Sequence, residues 1–257
     1  MIGVCVKWVR TSAPSGGLSA ADEAAIEIGL RHGKAHGMTV IAVTAGGPAC
    51  EEAVRVALAC GATTAVRVNA PDDADSATVA AALAPVLANT VAVWCGDYSI
   101  DRGTGSVPAL LAAGLDRQQA LGLVGVDLRD PLRVTRRLDG GRREMLRITG
   151  PAVLSVEGSV ARLRRATLRA ALAAQTADVV AYDATPLASS ATPFIEVRPY
   201  RPRARVLRGP VGVTPLDRLR ALTDVSGAPQ AGETVEGSAA EAAKRILETL
   251  RDWGYLS

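Results

Sequence analysis

Through the first half of the chain, short apolar runs alternate with stretches of helical periodicity, and this rhythm constrains the fold more than any other feature. Residues 2–9, 38–44, 65–68 and 90–95 read as buried strands, and residues 20–36, 48–60, 76–87 and 107–115 as the helices that follow them. Strands separated by helices in this way form right-handed crossovers and pair in parallel. Ser19 stands as the N-cap of the first helix, with an acid at Glu23, four residues on, so the capping box is imperfect. The 257 residues are 48% hydrophobic but only 3% aromatic, so the core must be built from Ala, Val, Leu and Ile. Such a core suits helices packed closely on a parallel sheet better than a β-sandwich.

The pattern then changes. Residues 120–127, 132–138 and 142–149 read as strands, with Asp139-Gly140-Gly141 as a hairpin turn between the last two, and residues 151–156 return as a buried strand. The expected fold is α/β: a mostly parallel sheet with helices on both faces, an inserted antiparallel hairpin and a C-terminal extended arm. Residues 1–183 form the expected α/β domain and residues 184–257 the arm. A short helix at 166–176 precedes Pro186, Pro193, Pro199, Pro202, Pro210 and Pro215, which favour an extended course. The arm is expected to end in a helix at 239–253, with Ala243, Ile246, Leu247, Leu250 and Trp253 on one face. Such an arm is expected to lie on a partner.

The formal charge of +3 is too small to imply nucleic-acid binding, and aromatic residues do not interleave with the basic clusters. Cys5, Cys50, Cys60 and Cys95 are scattered without metal-ligand spacing, which points to a reducing, cytoplasmic setting. No run reaches the ~18–20 apolar residues of a membrane span. The opening residues enter a strand-like run directly and do not read as a signal peptide.

Few constellations carry chemistry. Ser15-Gly16-Gly17-Leu18-Ser19 resembles the S-G-G-x-D-S loop of ATP pyrophosphatases, but Ser19 stands in the place of the Asp, and an ordinary loop with an N-cap is favoured. His32 and His36 are four apart, yet Gly33 replaces the Glu that a zinc-protease pattern needs, and both fall in the helix's last turn. Residues 96–105 are the most informative loop. They follow a strand at its carboxyl end and open a helix, where ligands of open α/β sheets gather. Gly96, Gly103, Gly105, the Thr104 hydroxyl and the Asp101 carboxylate suit a nucleotide and its phosphate; an ordinary polar loop fits the spacing equally well. Arg162, Arg164, Arg165 and Arg169 make a basic cluster whose default is a solvated face, and the arginines of the hairpin share that default. With two histidines, hydrolytic chemistry is poorly supplied.

Several segments, in order, resemble the beta subunit of electron transfer flavoproteins. Val4-Cys5-Val6-Lys7 is similar to that family's V-A-V-K opening strand, and Ser19-Ala20-Ala21-Asp22-Glu23-Ala24-Ala25-Ile26-Glu27 to its N-P-x-D-E-x-A-V-E segment. Gly47-Pro48-Ala49, then Ala57-Leu58-Ala59-Cys60-Gly61-Ala62, resembles its G-P-x…A-L-A-M-G-A-D run, and residues 96–105 its nucleotide loop. Asp139-Gly140-Gly141 with Pro151-Ala152-Val153 resembles D-G-G…L-P-A-V, and Ala166-Thr167-Leu168 falls where the family has A-T-L-P. The resemblance covers residues 1–175. The closing Trp253-Gly254-Tyr255-Leu256 resembles a branch associated with the mycofactocin redox system. Ser12 replaces a Tyr that touches the flavin in many members, and Arg169 replaces the Pro after A-T-L.

The resemblance implies an adenine-nucleotide alpha-hydrolase-like fold and an electron carrier without acid–base catalysis of its own. It implies an alpha subunit that holds a redox FAD and is clasped by the arm. A donor dehydrogenase, and a quinone reductase or similar acceptor, would meet the complex transiently, with Arg164, Arg165 and Leu168 in the docking loop. Cys5, Ser19, Ala45, Gly96, Asp101, Gly103, Thr104, Gly105, Ser106 and Val107 match positions around an adenine nucleotide, either AMP or a second FAD. In that site Asp101 is expected to accept a ribose or backbone hydrogen bond, and the amides of residues 103–107 to face the phosphate. The competing readings are an ATP pyrophosphatase-like enzyme and a nucleotide-binding protein resembling universal stress proteins.

Overall fold

The structure, a computed structural model, describes residues 1–9, 16–183, 210, 212–223, 237–253 and 255. The chain divides into two compact units, Met1–Pro193 and Phe194–Ser257. In the first unit lie strands β1 (Ile2–Cys5), β2 (Val40–Ala45), β3 (Thr64–Asn69), β4 (Ala92–Gly96), β5 (Gln118–Asp127), β6 (Leu132–Arg137), β7 (Arg143–Ile148), β8 (Ala152–Val156) and β9 (Val180–Asp183). Its helices are α1 (Ala20–Ala35), α2 (Glu51–Cys60), α3 (Ser76–Leu87), α4 (Val107–Gly114) and α5 (Leu168–Thr176).

The strands form one sheet in the order β7-β6-β5-β8-β4-β1-β2-β3-β9. Every pair from β5 to β9 across that order is parallel, whereas β5–β6 and β6–β7 are antiparallel. The expected α/β class therefore holds, and the hairpin extends one edge of the parallel sheet. Both sheet faces are covered, as the near-continuous burial of β1, β2, β4 and β8 requires. Ile2, Val4, Ala42, Trp94 and Leu154 pack on the side of α1 and α2, while Val43, Val68, Val93 and Leu111 pack on the side of α3 and α4.

Local chemistry sets the boundaries. Ser19 caps α1 by accepting from the Asp22 amide, Asp75 caps α3 through the Thr78 amide, and Thr167 caps α5 through the Ala170 amide. Asp22, three residues after the cap, is the acid at the capping-box position, so the sequence expectation that placed it at Glu23 is corrected. Gly61 ends α2 at φ +119°, a conformation that favours glycine. The first strand is shorter than expected: it stops at Cys5, and Val9 instead bridges to Gly17.

Two elements were not anticipated. β9 is short and exposed throughout, so it lacks the apolar alternation that reveals a strand. It is fixed by its surroundings. Arg55 donates to the carbonyls of Ala174, Gln175 and Ala177 at 2.8–3.0 Å, and Asn69 on β3 donates to Asp183. In the second unit α6 (Pro215–Thr223) starts at a proline that the sequence reading had assigned to an extended course. α7 (Ala239–Asp252), in the same unit, matches its expected range closely and opens with a full capping box between Ser238 and Glu241. The expected extended course at residues 184–209 and 211, with Ser12, Ser15, Gly254 and Leu256, lies outside the described residues.

The histidine pair resolves as structure. Trp94, fully buried on β4, donates its indole N–H to His32 Nδ1 at 3.1 Å, and His36 Nε2 lies 2.9 Å from the Leu128 carbonyl. Burial first, then the neighbouring His36, lowers the His32 pKa to about 4, so the ring is neutral and free to accept. Replacing Trp94 with Phe removes the indole donor and leaves a buried acceptor unpaired, and the smaller ring leaves a gap that adds to the loss. The expected loss is about 1–3 kcal/mol, read as a lower urea midpoint at unchanged slope; an unchanged midpoint would remove this bond from the account.

Candidate nucleotide site

The carboxyl ends of β1, β2 and β4 face the loop at residues 97–106 and the start of α4. Between them lies a half-open cleft of ≈ 140 Å³, completed by Val79 and Leu83 from α3. This is where the fold concentrates amide donors, because the helices that follow parallel strands all open at this edge with their free N–H groups. Seven of the expected site residues line it: Cys5, Ala45, Gly96, Thr104, Gly105, Ser106 and Val107.

The other three stand behind the lining. Asp101 accepts from the Lys7 ammonium at 2.6 and 2.8 Å, and so holds a lining residue where a ribose or backbone contact had been expected. Ser19 is buried with its hydroxyl committed to Asp22, donating to the carboxylate at 2.7 Å. The Gly103 amide donates to the Ser99 carbonyl at 2.8 Å, which leaves the amides of Thr104 to Val107 as the loop's donors ahead of α4. Pro108, in the first turn of α4, contributes no donor.

Glycine geometry explains how the loop fits. At Gly105 the backbone has φ +57°, and a Cβ would meet the Asp97 carbonyl at 2.4 Å. At Gly96 a Cβ would sit 3.1 Å from Ala21 and from the Asp22 amide, so β4 reaches the start of α1 only because it ends in glycine. Arg102 anchors the far side of the loop, donating to the Ala74 carbonyl at 2.5 Å and the Asp72 carbonyl at 3.3 Å. Asp97 opens the loop with a buried Oδ1 that has no hydrogen-bond partner among the described residues. Burial and then the charge of Glu157 push its pKa up.

Sequence reasoning missed Asp22, Lys7 and Arg102 as lining residues. The signal for Asp22 was its position three residues after the Ser19 cap, which directs a short acid back at the helix start. Burial raises its pKa to about 6 against the lowering pull of Ser19 and Lys7.

The electron transfer flavoprotein domain matches residues 6–187, a span that contains almost all of this architecture and the whole 96–107 segment. The chain belongs to that family. A curated relative, the electron transfer flavoprotein subunit beta of Bacillus subtilis (strain 168), is 37% identical over 101 residues, which cover 37% of this chain and 39% of that protein. The electron transfer flavoprotein docking loop inferred from sequence is divided by the structure. Arg164 is tied down, donating from its side chain to the buried Glu27 carboxylate at 2.8 and 3.1 Å. Arg165 is exposed, and Leu168 is 76% exposed at the start of α5. No described helix is long and apolar enough to cross a membrane, and no group of three or more metal-ligating side chains gathers among the described residues.

The raised pKa of Asp22 has a stability consequence with a definite sign. The folded state binds its proton more tightly than the unfolded chain does, so stability falls as pH rises from about 4 to 6 and stays lower above that window. Asp22→Asn removes the charge and keeps an acceptor for Ser19. In nucleotide-free protein the variant should gain about 2–3 kcal/mol relative to the parent between pH 4 and pH 7, measured by urea unfolding at both values. A difference independent of pH would show that the carboxylate is not desolvated.

Proposed function

We propose that the chain is the beta subunit of a heterodimeric electron transfer flavoprotein, an electron carrier that takes electrons from a dehydrogenase and passes them to a quinone reductase or a similar acceptor. The observation that carries this reading is the cleft at the carboxyl edge of the sheet, built by the 96–107 segment inside the span that the family matches. A redox FAD, held mainly by the alpha subunit near the interface, supplies the electron chemistry. This chain supplies scaffold, a nucleotide site and a docking surface, and its own residues transfer no protons in the reaction. A cytoplasmic setting and the mycofactocin-associated branch belong to the same proposal.

The residues present fit an adenine nucleotide. Val79, Leu83 and Cys5 give an apolar wall for a flat ring, while Gly96 and Gly105 let backbone approach closely. The amides of Thr104 to Val107 and the Arg102 guanidinium would hold phosphate, and the Lys7–Asp101 pair would keep one mouth of the cleft in place. AMP is the favoured occupant and a second FAD the alternative. In the second unit α7 exposes Ile246, Leu247 and the following Trp253, an apolar stripe suited to clasping the alpha subunit.

Extraction of the denatured heterodimer, with FAD and AMP counted per complex, tests the site. One of each supports AMP, two FAD support the flavin, and a single FAD without AMP overturns the nucleotide reading. Gly105→Trp should lose the nucleotide, because any side chain there meets the Asp97 carbonyl.

Docking has its own test. Leu168 is exposed, so its truncation costs little folding energy, yet an apolar anchor among arginines suits a transient interface. Leu168→Ala should slow electron transfer from the donor dehydrogenase while bound flavin and thermal stability stay unchanged. Unaltered transfer kinetics would return α5 to the role of solvated surface.

A further inference from the structure

Two of the four cysteines meet at the floor of the cleft. Cys5 ends β1 and Cys95 sits on β4, and the parallel register pairs them directly, Cys5 opposite Cys95. Residues paired in this way point to the same face of the sheet. Both belong to the apolar cluster on the α3 and α4 side, both are buried, both line the cleft, and both are free thiols. Of its neighbours, the Cys5 thiol acts most strongly on Cys95. At position 5 the V-A-V-K strand that this segment resembles carries Ala, so Cys5 departs from that motif.

We propose that Cys5 and Cys95 are a thiol–disulfide modification site whose oxidation closes the floor of the cleft against a nucleotide. The effect on binding rests on the nucleotide reading above, whereas the bond itself does not. Neighbouring strands lie about 4.8 Å apart, inside the Cα separation of roughly 4.4–6.8 Å that a disulfide accepts. In-register parallel residues keep their Cβ atoms near the strand spacing, so bridging must draw them in by about 1 Å to the usual 3.8 Å. That contraction acts on Lys7, two residues past Cys5, and on Gly96, the residue after Cys95, both of which line the cleft. A bridge under such strain is easily reduced, which makes the modification reversible.

The oxidant is a low-molecular-weight disulfide entering by the open mouth of the cleft. One thiolate attacks a sulfur of the reagent and forms a mixed disulfide, releasing the first small thiol with the cysteine's proton. The second thiolate then attacks the protein sulfur of that mixed disulfide, forming the Cys5–Cys95 bond and releasing the second small thiol. Two cysteines lose two electrons and two protons, and the reagent gains them. The neighbouring Cys5 thiol and burial push the Cys95 thiol well above its usual pKa, so its thiolate is scarce and its oxidation accelerates with pH. Cys50 and Cys60 serve as internal controls, since they sit about 15 Å apart along α2 and cannot bridge.

The full chain, with its partner subunit where the two copurify, is incubated with oxidised glutathione, blocked with iodoacetamide and mapped by peptide mass spectrometry. AMP affinity is measured on the same samples. A Cys5–Cys95 peptide should appear in nucleotide-free protein, and AMP affinity should fall about tenfold or more and return with dithiothreitol. Cys5→Ala and Cys95→Ala should each form no bridge, and whatever AMP affinity each variant has should not change on treatment with the oxidant. Bridge formation is read by mass alone, so a reduced protein that fails to bind AMP overturns the nucleotide reading without touching the bond. Free Cys5 and Cys95 after oxidation, or an oxidised protein that binds AMP unchanged, overturns the proposal.

Discussion

The arrangement of the first unit depends on how closely α1 lies on the strands beneath it. At Gly29 a Cβ would meet the Val4 side chain at 2.3 Å; at Gly96 and Gly158 it would meet the first residues of α1 at 3.1 and 2.8 Å. These are contacts of backbone with side chain or backbone with backbone, and larger residues would lift the helix off the sheet. The near absence of aromatic residues in the sequence is the same constraint seen from the side of composition. Among the described residues Trp94 is the one aromatic ring in the fully buried core, and α1 accommodates it by offering His32 as the acceptor for its indole.

Because α1 is seated so low, its first turn becomes part of the cleft. Asp22 lines the pocket only because Gly96 lets β4 pass beneath it. Charge then organises the periphery. Lys7 serves Asp101 directly and acts on Asp22 from nearby, so the β1 end of the cleft carries two acids around one cation. Arg102, held by neutral carbonyls, stands with the opening amides of α4 at the other end. A ligand with an anionic group and a hydroxyl-bearing or basic part would orient along that gradient.

Much of this was legible in the residues. Period and length identified eight of the nine strands, because buried parallel strands read as continuous apolar runs and the hairpin carried Asp139-Gly140. The loop at 96–105 was legible because glycine and hydroxyl residues fell between a strand and a helix. β9 was not, since it is held by its pairing with β3 and by Asn69, and its own four residues are exposed. Asp101 was read as a ligand contact, but its partner Lys7 stands 94 residues away on an element that only the closed sheet brings near, whereas the partner of Ser19, Asp22, is three residues on and could have been read locally. The commitment of Arg164 to Glu27 likewise spans 137 residues of sequence and leaves no local trace.

The two perturbed groups of α1 show which part of the helix is shaped by stability and which is not. Helix polarity favours an anion at Asp22 and a cation at His32, by roughly 0.3–1 kcal/mol each at ordinary exposure. Burial wins at both, raising Asp22 to about 6 and lowering His32 to about 4. Their linkage has opposite signs. Stability from neutral His32 is full above its unfolded value near 6.5 and is lost as pH falls toward 4, while that from neutral Asp22 is full below 3.8 and is lost as pH rises through 6. Across the shared window the slopes oppose, so the protein's stability is flatter than either group alone would make it. Above that window only the cost at Asp22 persists. His32 is neutral there at no expense, as a residue serving the core should be, whereas Asp22 remains a desolvated carboxylate in the wall of a cleft. Ser19 already caps the helix, so the desolvated carboxylate of Asp22 adds a cost in the cleft wall that the cap does not need.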